Sequence, residues 1–273
     1  MEIQYDRIRT LFYKRKLRFL HNTPVVSNNS KVIETGIIDN YDPVILNQET
    51  LKRYIFDVNI IEETIEYLQC LSPDKYTDFT IKYYEAGLKN FGRNWCYADI
   101  VTVLFCISKL IKPNNYLEIG VRKGRSLAAV AVPSPNCSLF GFDMWVENYA
   151  GMNNEGEDYV KNELLKIGHK GSCKLINGDS HKIINTFFAE NPNLFFELIT
   201  VDGDHTFYGA AQDLIDTLPR LAIGGILVFD DIVNPRCAYL NDVWNIIVKS
   251  NKRFSTFEFT ELGYGVAIAI RLY

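Results

Sequence analysis

Two apolar runs of this chain stop on clusters of charge. The first, "LITVDGDHTFYGAAQDL", ends a strand-like stretch on Asp202, Gly203, Asp204 and His205. The second, "GGILVFDDI", ends on Asp230 and Asp231, one strand–helix–strand unit later. Carboxylates are hard oxygen donors, and such donors select Mg²⁺, Mn²⁺ or Ca²⁺ over softer metals. Asp202, Asp230 and Asp231 are therefore candidate ligands of one divalent cation. The competing reading is structural: Asp230 and Asp231 order the loop before "NPRC", and His205 bonds a neighbouring backbone group.

Three more acids follow strand-like segments. In "YLEIGVRKGRS", Glu118 precedes a turn with Gly120 and Gly124, and Ser126 opens the next helix. Gly120 lets the backbone turn closely under a ligand, and Gly124 relieves crowding at the helix start. The pattern is E-x-G-x-x-x-G rather than the G-x-G-x-x-G of dinucleotide binders. A pyrophosphate wants a helix N-terminus without a nearby anion, so Glu118 suits a cationic or hydroxyl-bearing ligand. Asp143 ends "FGFDMW"; a carboxylate there accepts from both hydroxyls of a ribose. In "NGDS", Asp179 and Ser180 either meet an adenine amino group or cap the helix "HKIINTFF"; the two roles are compatible. The long segment "WVENYAGMNNEG", with Trp145 and Tyr149, is expected to fold over the site.

The elements that must position these groups alternate. From residue 95 onward, six helix-like segments each lead into a strand, and "GYGVAIAIRLY" follows the last of these. Strict alternation implies a parallel sheet covered on both faces. The last two strands, joined by "LG" plus strand ends, read as a hairpin, so the final strand runs antiparallel. Open sheets of this kind bind ligands at the carboxyl ends of their strands. Glu118, Asp143, Asp179, Asp202 and Asp230 all fall at that edge.

Residues 1–94 read as a helical and irregular cap, and 95–273 as the catalytic domain. The segment "YDRIRTLFYKRKLRFL" is helical by period, "HNTPVVSNNSKVIETGIIDNYDPVILNQ" is an extended loop, and "LNQETLKRYIFDVNIIEETIEYLQCL" and "PDKYTDFTIKYYEAGLKNF" are two further helices. A net charge of −4 argues against a nucleic-acid binder. No apolar run nears the ~20 residues of a membrane span. The six cysteines show no CxxC pair and none adjoins a histidine, which argues against zinc and for a reducing cytoplasm. His21, His169 and His181 have no readable partner. The basic, aromatic-rich N-terminal region hints at a homodimer contact.

Five motifs in order, "YLEIGVRKGRSL", "GFDMW", "NGDS", "VDGDHTFYGAAQDL" and "GGILVFDDI", resemble class I S-adenosylmethionine-dependent methyltransferases, over roughly residues 93–245. The resemblance implies a Rossmann-like α/β fold: a seven-stranded, mostly parallel sheet with helices on both faces, an antiparallel last strand and an N-terminal helical cap. It implies that Glu118 and the Gly120 turn hold the methionine portion of S-adenosylmethionine, that Asp143 binds the ribose, and that Asp179 and Ser180 lie near the adenine. Metal-dependent O-methyltransferases of the catechol and antibiotic-sugar types are similar at Asp202, Asp230 and Asp231. The aminocoumarin-sugar enzymes suggest Asp204 as the base, with His205 second. The implied activity is Mg²⁺-assisted methylation of a small-molecule hydroxyl. Alternatives are a metal-independent N- or O-methyltransferase and a non-catalytic cofactor-binding partner.

Overall fold

The computed structural model describes residues 44–273. The basic N-terminal segment, most of the loop read after it, and His21 lie outside the described residues.

Four helices come first. The apolar-periodic stretch expected as one helix is broken in two: α1 (Gln48–Ile55) and α2 (Val58–Cys70) meet at Phe56 and Asp57. The reason is local, because Asp57 adopts extended backbone and its side chain accepts from Asn59 N, starting a new helix. α3 (Lys75–Phe91) is capped by Asp74, and α4 (Ile100–Ile111) by a reciprocal Asp99–Thr102 capping box. The alternation then runs β1 (Asn115–Ile119), α5 (Arg125–Ala131), β2 (Ser138–Asp143), α6 (Glu157–Lys166), β3 (Cys173–Asn177), α7 (Ser180–Glu190) and β4 (Phe196–Val201). It continues with α8 (Phe207–Thr217), β5 (Leu221–Asp230) and α9 (Leu240–Trp244), which runs on into a π-helical turn over Asn245–Lys249. β6 (Phe254–Phe259) and β7 (Val266–Arg271) close the chain.

Among the described residues the strands form one sheet in the order β3-β2-β1-β4-β5-β7-β6. β1 to β5 pair in parallel, and β7 lies antiparallel between β5 and β6. The link between β6 and β7 is residues 260–265, longer than the "LG" turn expected. β5 also starts earlier than its apolar run suggests, at Leu221, with a register irregularity against β4 between Phe196 and Leu198. Gly224 takes φ +75° in that stretch, a backbone that side chains rarely adopt.

Strand alternation sorts the core into two layers. Tyr116, Leu198, Val228 and Ile268 face α1 to α6, whereas Leu117, Ile199, Phe229 and Ala267 face α7, α8 and α9. The N-terminal helices share the first layer through Leu51, Ile55, Ile61, Leu68 and Tyr84. Polar ties hold them around the first glycine turn: Arg125 on α5 reaches Asp74 at 3.2 Å, and Glu163 on α6 accepts from Ser72 N at 2.6 Å. The order β1-β4 at the centre of the sheet is the switch point, and it sets the end of β1 between the ends of β2 and β4.

Candidate active site

Glu118 is fully buried on β1, on the same face as Tyr116 two residues earlier. The Tyr116 hydroxyl donates to Glu118 Oε2 at 2.6 Å, Ser126 Oγ donates to Oε1, and Thr200 Oγ1 lies 2.8 Å from the Tyr116 oxygen. Burial pushes the Glu118 carboxyl up to about 8, against the pull of Ser126 and Tyr116, with the Asp202 and Asp143 charges adding to the rise. The buried acid therefore carries a proton through much of the neutral range and favours a cation beside it.

Gly120 takes φ +93°, and a Cβ there would lie 2.0 Å from the Asp202 carbonyl oxygen. Its role is the close approach of β1 to the end of β4, which brings Glu118 and Asp202 to one place. Gly124 caps α5 in left-handed backbone, and its Cβ would meet Val160 of α6 at 2.7 Å.

Asp143 ends β2 with both carboxylate oxygens facing backbone donors. Arg122 N donates to Oδ2 at 2.7 Å and Trp145 N to Oδ1 at 2.6 Å. Both donors are left-handed non-glycine residues, at φ +50° and +41°, and Asp143 holds them there. Each oxygen keeps acceptor capacity for a further hydroxyl. Trp145 does not cover the site as expected: it is buried, and its indole donates to the Arg122 carbonyl at 3.1 Å. Val146, Tyr149 and Asn154 of that segment, and Met144 just before it, do line the cavity, with the Arg122 guanidinium 5.2 Å from the Tyr149 ring centre.

That cavity has a volume of about 330 Å³ and runs along the strand ends from Asp143 and Asp179 to Asp202 and Asp204. At its β3 end, Asp179 caps α7, accepting from His181 N at 3.1 Å. Ser180 lines the cavity as well, and its hydroxyl donates to Asp213 Oδ1 at 2.8 Å. His181 also has partners: its Nε2 lies 3.3 Å from Asp213 Oδ1 and its Nδ1 3.3 Å from Asp179 Oδ1. Hydrogen bonding to the fully buried Asp213 raises His181 to about 9, against the desolvation that would lower it.

At the other end, Asp202 and His205 follow β4, and Asp230 and Asp231 end β5, the neighbouring parallel strand. His205 Nε2 lies 3.1 Å from Asp202 Oδ1, and its Nδ1 3.4 Å from Asp231 Oδ2. The contact with Asp202 raises the imidazole's pKa against partial desolvation. Burial and the Asp202 and Asp231 charges hold Asp230 well above the usual carboxylate range, and burial and Asp202 raise Asp231 as well. Asp231 sits in left-handed backbone at φ +62° and accepts from Asn234 Nδ2 at 3.0 Å. Asp204 lines the cavity, with Oδ1 accepting from Thr206 N at 2.8 Å. Its side chain lies over Gly209 of α8, where a Cβ would come 1.9 Å from Oδ2.

The fold thus gathers Glu118, Asp143, Asp179, Asp202, Asp204, His205, Asp230 and Asp231 at one edge, and Ser126 beneath them. Sequence reasoning missed Tyr116, Arg122, Asn234, Asp213 and Tyr239, whose hydroxyl donates to the His205 carbonyl at 2.8 Å. Only Tyr116 left a signal, since it lies two residues from Glu118 on one strand. The carboxylates fit a divalent cation in donor type, and Asp230 and Asp231 are raised by burial first and by the neighbouring negative charge second.

Fold and strand ends together are similar to those of known methyltransferases. The family model described as "Methyltransferase domain" matches residues 117–232, from β1 to the turn after β5. The tapetum-specific methyltransferase 1 of Arabidopsis thaliana is 27% identical over 198 residues, covering 70% of this chain and 73% of its own. In fold, the chain is similar to the O-methyltransferase of tomaymycin synthesis from Streptomyces achromogenes, solved with S-adenosylmethionine (TM-score 0.52, 15% identity, 74% of this chain and 92% of that one). It is similar also to a calicheamicin methyltransferase (TM-score 0.51, 19% identity, 85% and 97%). Among the described residues no helix is long and apolar enough to cross a membrane.

Proposed function

We propose that this protein methylates a hydroxyl of a small molecule, a sugar or natural product, with a divalent cation assisting. The observation that carries the reading is the convergence of Asp202, Asp204, Asp230 and Asp231 on neighbouring strand ends beside a cavity that also meets Asp143 and Asp179. Bound there, S-adenosylmethionine would supply an electrophilic methyl group, and Asp202, Asp230 and Asp231 would hold Mg²⁺, which would supply Lewis-acid chemistry toward an acceptor oxygen.

The chain's own residues supply the rest. Glu118 faces the cofactor's ammonium, and the Gly120 turn brings β1 close enough for it to do so. Ser126 fixes the Glu118 carboxyl, and Gly124 lets α5 start against α6. Asp143 accepts from the two ribose hydroxyls. Asp179 and Ser180 lie at the adenine end. Asp204 Oδ2 takes the acceptor's proton, since Oδ1 is held by Thr206 N. His205 keeps Asp202 and Asp231 oriented and is the second candidate base. The domain division at residue 94, a reducing cytoplasmic setting for six free thiols, a homodimer and the lack of a nucleic-acid partner belong to the same reading.

One observation favours a second reading, a metal-independent methyltransferase: His205 already places a raised-pKa imidazole between Asp202 and Asp231. Release of S-adenosylhomocysteine, followed across an acceptor screen with and without chelator, tests both. Transfer that needs Mg²⁺ supports the first, and transfer unaffected by chelation and by Asp230→Ala supports the second. Calorimetry that finds no S-adenosylmethionine binding at millimolar ligand overturns the assigned cofactor site.

A further inference from the structure

The sequence argues against zinc because no cysteine adjoins a histidine. The fold removes that objection. Cys237, in the turn between β5 and α9, comes beside His205 and Asp231, and one ligand atom of each lies within 4.8 Å of the others. The three offer a soft sulfur, a borderline nitrogen and a hard oxygen. Donors about 2.0–2.1 Å from a tetrahedral ion lie about 3.4 Å apart, and His205 Nδ1 lies 3.4 Å from Asp231 Oδ2. Cys237 is buried, and Asn234 orients Asp231 through its amide.

We infer that His205, Asp231 and Cys237 form a second cation site, for a borderline transition metal of the zinc or cobalt kind. Its donors differ from the oxygen set assigned to Mg²⁺, with which it shares only Asp231. The combination of thiolate, imidazole and carboxylate favours Zn²⁺ or Co²⁺ over Mg²⁺, which takes oxygen ligands. Binding sends the thiol proton to solvent, because only the thiolate ligates. Three protein ligands leave the fourth tetrahedral position open. An ion here takes Asp231 from the oxygen set, so zinc competes with magnesium for the same edge of the sheet.

The test is a Co²⁺ titration of the metal-free, full-length protein, read by absorbance. A thiolate-to-cobalt charge-transfer band that saturates at one ion per chain is the expected result. The Cys237→Ser variant should lose that band, and a Cys70→Ser, Cys96→Ser variant, which removes two exposed thiols, should keep it. His205→Gln, at a partly exposed side chain, should weaken Co²⁺ affinity by at least about 10-fold and carries the test if Cys237→Ser does not fold. No band in the parent protein, a band that survives Cys237→Ser, or unchanged affinity in His205→Gln would overturn the proposal. The Mg²⁺ requirement for methyl transfer is a separate readout. Its absence removes the oxygen-ligated reading and leaves the cobalt result to stand or fall alone.

Discussion

His181 and His205 occupy opposite ends of the cavity, and each spans two carboxylates. At the β3 end, His181 and Lys182 face Asp179 and Asp213, with Lys182 Nζ 3.0 Å from Asp179 Oδ2, so charge is balanced within the protein. At the β4–β5 end, one imidazole faces Asp202 and Asp231, with Asp230 and Asp204 close by. The first arrangement ties α7 to α8 and asks for no further cation. The second leaves Asp230 and Asp231 raised by burial and by neighbouring carboxylate charge, which a bound cation would relieve. The difference teaches that a histidine between acids is a brace where the sums close, and part of a binding site where they do not.

The comparison breaks most sharply at Asp204. On the proposed mechanism, Asp204→Asn lowers kcat by about 10²–10⁴ while S-adenosylmethionine binding persists, as rapid-quench kinetics and calorimetry would show. The same change in Asp179, on the balanced side, should act on cofactor affinity instead.

Removal of divalent ions comes next. Chelation should lower turnover by roughly 10²–10³, the worth of several kcal/mol of charge stabilisation, and Mg²⁺ should restore it. Thermal stability of the His181 end should not respond, which a melting curve on the chelated protein would check.

Gly209→Ala gives an intermediate effect. The added Cβ would come 1.9 Å from Asp204 Oδ2 and 2.6 Å from Asp204 Cβ, so the whole side chain and the backbone that carries it must shift. A helical glycine replaced by alanine gains up to about 1 kcal/mol. The expected outcome is a lower Tm, the overlap outweighing that gain, with kcat down about 10–100-fold, as calorimetry and steady-state kinetics would show.

The smallest effect is at His181. Its pKa in the fold is raised to about 9 from an ordinary value near 6.5. Its contribution to stability is therefore fully present below about 6.5 and lost as pH rises through about 9. His181→Gln should lower Tm at pH 6 by roughly 2–4 °C, about 1 kcal/mol in a chain of this size, and the difference should close above pH about 9. A gap that stays constant with pH would show that packing, not charge, makes the brace.

The repeated strand-then-acid pattern made the sheet and its ligand edge legible, because alternation dictates parallel pairing and parallel pairing collects strand ends. The five ordered motifs likewise marked every acid now at that edge. What stayed hidden was contact between residues far apart in the chain. Asp213 meets Ser180 across 33 positions, and Cys237 meets His205 only because α9's lead-in turn folds back over β4. The helix break at Asp57 was also missed, since apolar periodicity continues through it while a single side chain resets the backbone. Trp145 misled for the opposite reason: an aromatic beside a functional acid looked like a lid, and it is a wedge that fixes the Arg122 carbonyl.

Glu118 has a thermodynamic consequence. With its carboxyl near 8, it holds a proton at neutral pH in the surroundings the fold gives it. On the proposed role of Glu118, an ammonium group arriving beside it would displace that proton, so cofactor uptake would be an ion exchange as well as an association. Calorimetric heats measured in buffers of different ionisation enthalpy would then diverge for the parent protein and coincide for Glu118→Gln. On that proposal, cofactor affinity below pH 8 would be set in part by how readily the solvent accepts that proton.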